Sequence, residues 1–241
     1  MNTRDGRDRD RFSLIGHAAM PLMGPLEETE LCALLDAAAP PRGSATLDLG
    51  GGRADLSALL VRRHGVRATS VDRSAQATLA AQQRVGDLDV TLVTAEALAH
   101  VSTVAPRAVS LASCLGAVHC FGVGVEGWRL AVSRLDGLAE RVLVGDLVAT
   151  SPEARDAFEV AELAALADLA SRFGRTVRAS VVLDATRVRA YERAWCGSVA
   201  AHVAAHPNDP RNAWATARLA WAEEPSLEAA RGALAFAAFV M

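Results

Sequence analysis

A glycine cluster set between an apolar run and an amphipathic segment restricts this chain more than any other feature. It reads Leu47-Asp48-Leu49-Gly50-Gly51-Gly52-Arg53-Ala54-Asp55-Leu56. Glycine lets the backbone turn sharply and lets a ligand approach with no Cβ in the way, so a strand that ends here and a helix that begins here form a ligand-binding turn. Around it, periodicity predicts strands at Ala45–Leu49, Val66–Val71, Asp89–Val93, Ala108–Ser113 and Arg141–Val148. Helices fall between them at Asp55–His64, at Ser74–Val85 with Ser74 as cap, and at Gly127–Leu135, after a first helix at Pro25–Ala38. That alternation is the pattern of a mostly parallel sheet with helices on both faces.

The C-terminal third departs from it. One helix is expected from Ser151 to Phe173 with Gly174 as its stop, then a strand at Thr176–Leu183 and a long helix at Ala185–His206. After a turn at Pro207–Pro210 come a helix at Arg211–Glu223 and a strand at Ala233–Val240. The expected whole is one domain over residues 1–241: a Rossmann-like α/β fold of seven strands, the last antiparallel. Residues 1–26 form a flexible arm and possible lid in this scheme, and 151–174 and 185–224 a helical cap.

Composition removes several classes. A net charge of −3 at 241 residues gives no basic footprint for nucleic acid. The cysteines Cys32, Cys114, Cys120 and Cys196 form no CxxC pair and no metal-ligand spacing. No apolar run has the length of a membrane span. A cytoplasmic monomer or homodimer acting on a small molecule, with no metal, is expected.

Two details of the glycine turn select its ligand. A dinucleotide fingerprint calls for a third glycine where this chain has Asp55, and an anion there opposes a phosphate. Asp48, just before the turn, gives a pyrophosphate nothing but suits a ligand bearing an ammonium and a sulfonium. Asp72, at the end of the second strand, can accept both ribose hydroxyls. The turn therefore favours S-adenosylmethionine (SAM) over NAD.

With Val71-Asp72-Arg73-Ser74 and Thr94-Ala95-Glu96-Ala97, the turn resembles the class I SAM-dependent methyltransferases over residues 45–149. Gly16-His17, Met20-Pro21, Cys114–His119, Gly145-Asp146, Tyr191-Glu192 with Trp195, and His206–Pro210 extend the likeness to a poorly characterised group of stand-alone bacterial members. The resemblance implies that Asp48, Gly50 and Gly52 line the methionine part of the cofactor, with Leu49 and Gly51 beside them. Asp72, with Arg73 next to it, takes the ribose, and Ala95 and Glu96 flank the adenine. S-adenosylhomocysteine (SAH) is the implied product.

Methyl transfer by in-line displacement rests largely on positioning, so no catalytic triad is required, and none is found. The loop after the fourth strand carries Ser113 and Cys114 as cofactor contacts and His119 as the candidate base or substrate contact. His17, Met20, Asp146, Tyr191 and Trp195 are the remaining candidates for substrate binding, and Trp128 is a candidate for the same aromatic wall. The alternatives are a protein that binds SAM without methylating and an NAD(P)-dependent oxidoreductase.

Overall fold

The computed structural model describes residues 11–241. The first ten residues of the expected N-terminal arm lie outside the described residues. Helix α1 is described over residues 11–16. It is followed by α2 (Glu28–Ala38), β1 (Ala45–Leu49), α3 (Asp55–His64), β2 (Arg67–Asp72), α4 (Ala75–Val85), β3 (Val90–Thr94), α5 (Ala97–Val101) and β4 (Val109–Leu115). Then come α6 (Gly124–Leu138), β5 (Ala139–Ala149), α7 (Pro152–Phe158), β6 (Ala161–Glu162), α8 (Leu169–Arg172), β7 (Ala179–Leu183), α9 (Ala185–Ala205), α10 (Asn212–Ala222), α11 (Glu228–Arg231) and β8 (Leu234–Val240).

The strands form one sheet in the order β3-β2-β1-β4-β5-β8-β7, with β6 paired off this path to β5. β1 to β5 are parallel, and β8 runs antiparallel to both β5 and β7. The seven strands and the antiparallel last one are as the sequence predicts; the two-residue β6 is an addition. The order reverses at β1, between β2 and β4. A crevice therefore opens at the carboxyl ends of β1 and β4, the usual ligand position in such sheets.

Alternation along the strands sorts the core into two layers. Leu111 and Leu143 face α2 and α3, packing with Leu31, Leu35 and Leu60. Ala112, Cys114, Val142 and Val144 face the other way, onto Trp128, Val132 and Leu135 of α6. Ser74 caps α4 as expected, its hydroxyl accepting from Ala77 N–H. α2 starts later than Pro25, because Glu27 and Glu30 satisfy each other's backbone N–H groups in a capping box.

Residues 151–174 are not the single helix expected. Glu159 ends α7 in the left-handed region at φ 53°, and Ala161 and Glu162 then add to the edge of β5. Leu166, Leu169 and Ala170 turn inward onto the α6 layer. Burying those side chains in the core outweighs continuing a helix that would leave them in solvent. Residues 185–222 do form two long helices, and α10 packs on α9.

Candidate functional site

The crevice is a cavity of about 560 Å³, and the glycine turn, the ends of β2, β4 and β5, residues 13–26 and the α9–α10 pair all line it. Its cofactor-sized half is built on the turn. Gly50 and Gly51 both donate to Val71 O, at 2.8 and 3.0 Å, which pins the turn to β2. Gly50 has φ +72°, and a Cβ there would sit 2.2 Å from the Ala117 Cβ. A Cβ on Gly51 would meet Ser70 Oγ at 2.0 Å. These close approaches account for the glycines physically: the turn is folded tightly against β2 and the loop after β4.

Asp48 is buried at the floor of this half, held by Ser113 Oγ at 2.9 Å and Ser57 Oγ at 3.3 Å. Burial pushes its carboxyl up to about 6, against the pull of the two serine hydroxyls. A positive charge facing it would reverse that rise. Asp72 accepts from Gly52 N–H at 2.9 Å and from Ser74 N–H at 2.8 Å, so β2, the turn and the start of α4 converge on one carboxylate. Arg73, Ala95 and Glu96 line the cavity beyond it.

Three of the cofactor candidates from the sequence fall elsewhere. Leu49 and Cys114 are fully buried in the α6 layer and do not line the cavity. Burial also drives the Cys114 thiol well above its ordinary range. Ser113 is buried too and acts behind Asp48, not in the cavity. The loop after β4 opens toward the crevice only from Leu115 onward, one pleat later than the sequence suggested.

The other half of the cavity is roofed by α1, α9 and α10. Phe12 stacks on Trp214 at 5.8 Å, and a Cβ on Gly16 would overlap the Trp195 ring. His17 Nδ1 lies 2.6 Å from Ser13 O and its Nε2 lies 2.7 Å from Tyr191 Oη. A carbonyl can only accept, so Nδ1 carries the ring proton and Nε2 accepts from the Tyr191 hydroxyl. Burial lowers the pKa of His17, so the ring is neutral near pH 7. The Tyr191 phenol is raised, chiefly by burial.

Asp146 accepts from Val118 N–H and Leu147 N–H, both at 2.8 Å, and burial lifts it to about 6. His119 is exposed at the mouth, on a 3₁₀ turn over Val118–Cys120. Met20 does not line the cavity; its carbonyl accepts from Arg53. Trp128 lies in the core against Phe239 and forms no part of the wall.

Sequence reasoning missed a staple between the turn and residues 17–23. Arg53 donates to the carbonyls of His17, Met20 and Pro21 and pairs with Asp55 at 3.0 Å. Asp55 also accepts from Met23 N–H and forms an ion pair with Arg84. The residue that stands in for a third glycine thus anchors the N-terminal strap. Leu14, Trp214 and Arg218 also line the cavity without having been singled out. Arg218 lies over the Trp195 and Trp221 rings and pairs with Glu192 at 3.2 Å. The spacing of Tyr191 and Trp195 was the only available signal for that wall.

Among the described residues there is no cluster of three metal-ligating side chains, and no helix is long and apolar enough to cross a membrane. No protein-family model matches the chain, and no curated protein sequence matches it. Solved structures do. A protein from E. coli, YjhP, superposes with a TM-score of 0.79 at 23% identity, covering 95% of this chain and 98% of that one. A SAM-dependent methyltransferase from Geobacter sulfurreducens, in complex with SAH, gives 0.78 at 24% identity over 95% and 96%. A SAM-dependent methyltransferase from Thiobacillus denitrificans, also with SAH, gives 0.76 at 23% over 94% and 96%. The chain has the Rossmann-like fold of the class I SAM-dependent methyltransferases.

Proposed function

We propose that the protein is a SAM-dependent methyltransferase that transfers a methyl group to a small-molecule acceptor by in-line displacement. The observation that carries this is Asp48: a carboxyl raised by burial and held by Ser57 and Ser113, lining the cavity beside a tight glycine turn, with Asp72 at the end of β2 next to it. The residues fit the group. Asp48 faces the positive end, Gly50 to Gly52 pack along the chain of the ligand, and Asp72 accepts from the ribose while Ala95 and Glu96 border the adenine. When bound, SAM supplies a methyl group activated by a sulfonium. The protein's part is to hold the acceptor in line with it: His17, Asp146, Tyr191 and Trp195 border the acceptor half, and His119 contacts the acceptor from the mouth. The structural relatives crystallised with SAH support the cofactor. In this proposal the enzyme is cytoplasmic, a monomer or homodimer, and does not act on nucleic acid.

Calorimetric titration with SAM, SAH, NADH and NADPH tests it. Micromolar binding of the two adenosyl-sulfur ligands alone, lost in Asp72→Ala, is the expected result. Binding of a nicotinamide instead moves the site to oxidoreductase chemistry. Tight SAM binding with no transfer to any acceptor class favours a binding role.

A further inference from the structure

A hydroxyl cannot take a methyl group without losing its proton as the new bond forms. The acceptor half of the cavity contains a hydrogen-bonded chain suited to receive one. It runs from the cavity to Tyr191 Oη, 2.7 Å on to His17 Nε2, and from His17 Nδ1 2.6 Å to Ser13 O. The chain has a direction. Ser13 O can only accept, so the His17 proton stays on Nδ1, and the Tyr191 proton points at Nε2. Tyr191 therefore offers the cavity lone pairs, not a proton, and an acceptor hydroxyl that meets it has to donate.

The surroundings agree. Leu14, Leu147, Trp195, Trp214 and Phe236 line the same cavity and give it an apolar, partly aromatic wall. Asp146, Arg218 and Glu192 act on Tyr191; on His17, burial and Arg53 oppose a positive imidazole, while the Ser13 carbonyl and Asp55 favour it.

We infer that Tyr191 is the catalytic residue that takes the acceptor's proton, that His17 behind it stores that proton, and that the acceptor is a hydroxyl on an apolar, aromatic-sized body. This rests on the methyltransferase reading above, and it leaves His119 as a contact. In the step, the acceptor O–H proton passes to Tyr191 Oη while the phenolic proton passes to His17 Nε2. The O–CH₃ bond forms as the S–CH₃ bond of the cofactor breaks, leaving a neutral thioether. The positive charge lost from sulfur reappears on the His17 imidazolium, whose Nδ1–H remains on Ser13 O. Carboxylates and thiolates arrive already ionised and would have no use for such a chain.

The test compares the whole protein with Tyr191→Phe and His17→Gln, using radiolabelled SAM and phenol, 4-chlorophenol, 4-nitrophenol and benzylamine at pH 8. Loss of a general base costs about 10²- to 10⁴-fold in kcat. That loss is expected on phenol in Tyr191→Phe, with little loss on 4-nitrophenol, which arrives largely ionised. An equal loss on all three phenols means a merely structural role and overturns the proposal. So does no loss at all, transfer to benzylamine alone, or no transfer to any phenol by a wild type that binds SAH.

Nitrogen-15 NMR of His17 gives a second readout without turnover. A bare Nε2 whose resonance moves in Tyr191→Phe is expected, whereas a proton on Nε2 overturns the relay. SAH calorimetry on the three proteins separates the two levels. If the wild type fails to bind SAH, the methyltransferase reading falls, while the NMR still decides whether the pair is arranged as a base.

Discussion

Replacing Asp48 with asparagine should move stability and ligand binding in opposite directions. Asparagine keeps the shape, and the Ser57 and Ser113 hydroxyls that now donate to the carboxylate can rotate to suit an amide. The carboxyl sits at about 6 in the folded protein against 3.8 ordinarily. At 1.36 kcal/mol per tenfold that gap corresponds to about 3 kcal/mol. The folded state holds this proton more tightly than the unfolded state. The ligand-free protein therefore loses stability as pH rises from about 4 to about 6, and the loss persists above that. Asp48→Asn should accordingly raise the melting temperature at pH 8 and leave it unchanged at pH 4. An upper limit of about 3 kcal/mol corresponds to roughly 6–12 °C at this size. Binding should respond with the other sign. Loss of one partner of a desolvated charge pair costs at least about 2 kcal/mol, or roughly 30-fold in the Kd for SAM. Wild-type affinity should also fall about tenfold per pH unit below 6, as Asp48 takes up its proton, and the variant should lack that slope. Calorimetry from pH 5 to 8 and thermal melts in the same buffers measure both. A variant that binds SAM as tightly as wild type and melts at the same temperature at pH 8 would refute the assignment of Asp48 as the carboxylate waiting for a cation.

Two further substitutions separate binding from packing. Arg53→Ala removes the donors to three strap carbonyls and the pair with Asp55; amide hydrogen exchange over residues 17–26 should accelerate and SAH dissociate faster, and unchanged exchange would mean the strap is held by its apolar contacts alone. Cys114→Ser puts a hydroxyl into the α6 layer; it should cost about 1–3 kcal/mol in chemical denaturation with SAH affinity intact, and a weakened SAH affinity in the folded variant would restore Cys114 as a cofactor contact.

The sheet was legible because strand periodicity and turn chemistry agree at each crossing: Leu47 to Leu56 says strand, turn and helix in ten residues, and Ser74 announces its own cap. The position of Asp48 and Asp72 at the crevice was legible as well, since an acid placed beside a glycine turn or at a strand end needs a reason. What failed was the face on which a residue lies. Cys114 and His119 are only five residues apart, but the first still belongs to β4 and packs into the core while the second lies on the following 3₁₀ turn at the mouth. Residues 151–174 failed for a related cause: their composition permits a helix, while Leu166 and Leu169 gain more by folding back on α6. The His17–Tyr191 pair joins positions 174 residues apart, and no local pattern carries such a contact.

Arg53 belongs to the turn proposed to grip the cofactor, and three of its acceptors lie in the strap that brings His17 to Tyr191. Any adjustment of the turn on cofactor entry is therefore passed to the roof of the acceptor half. Kinetically this favours a compulsory order of addition, with the cofactor first and its demethylated product last to leave. The strap ties the geometry of the acceptor half to that of the turn.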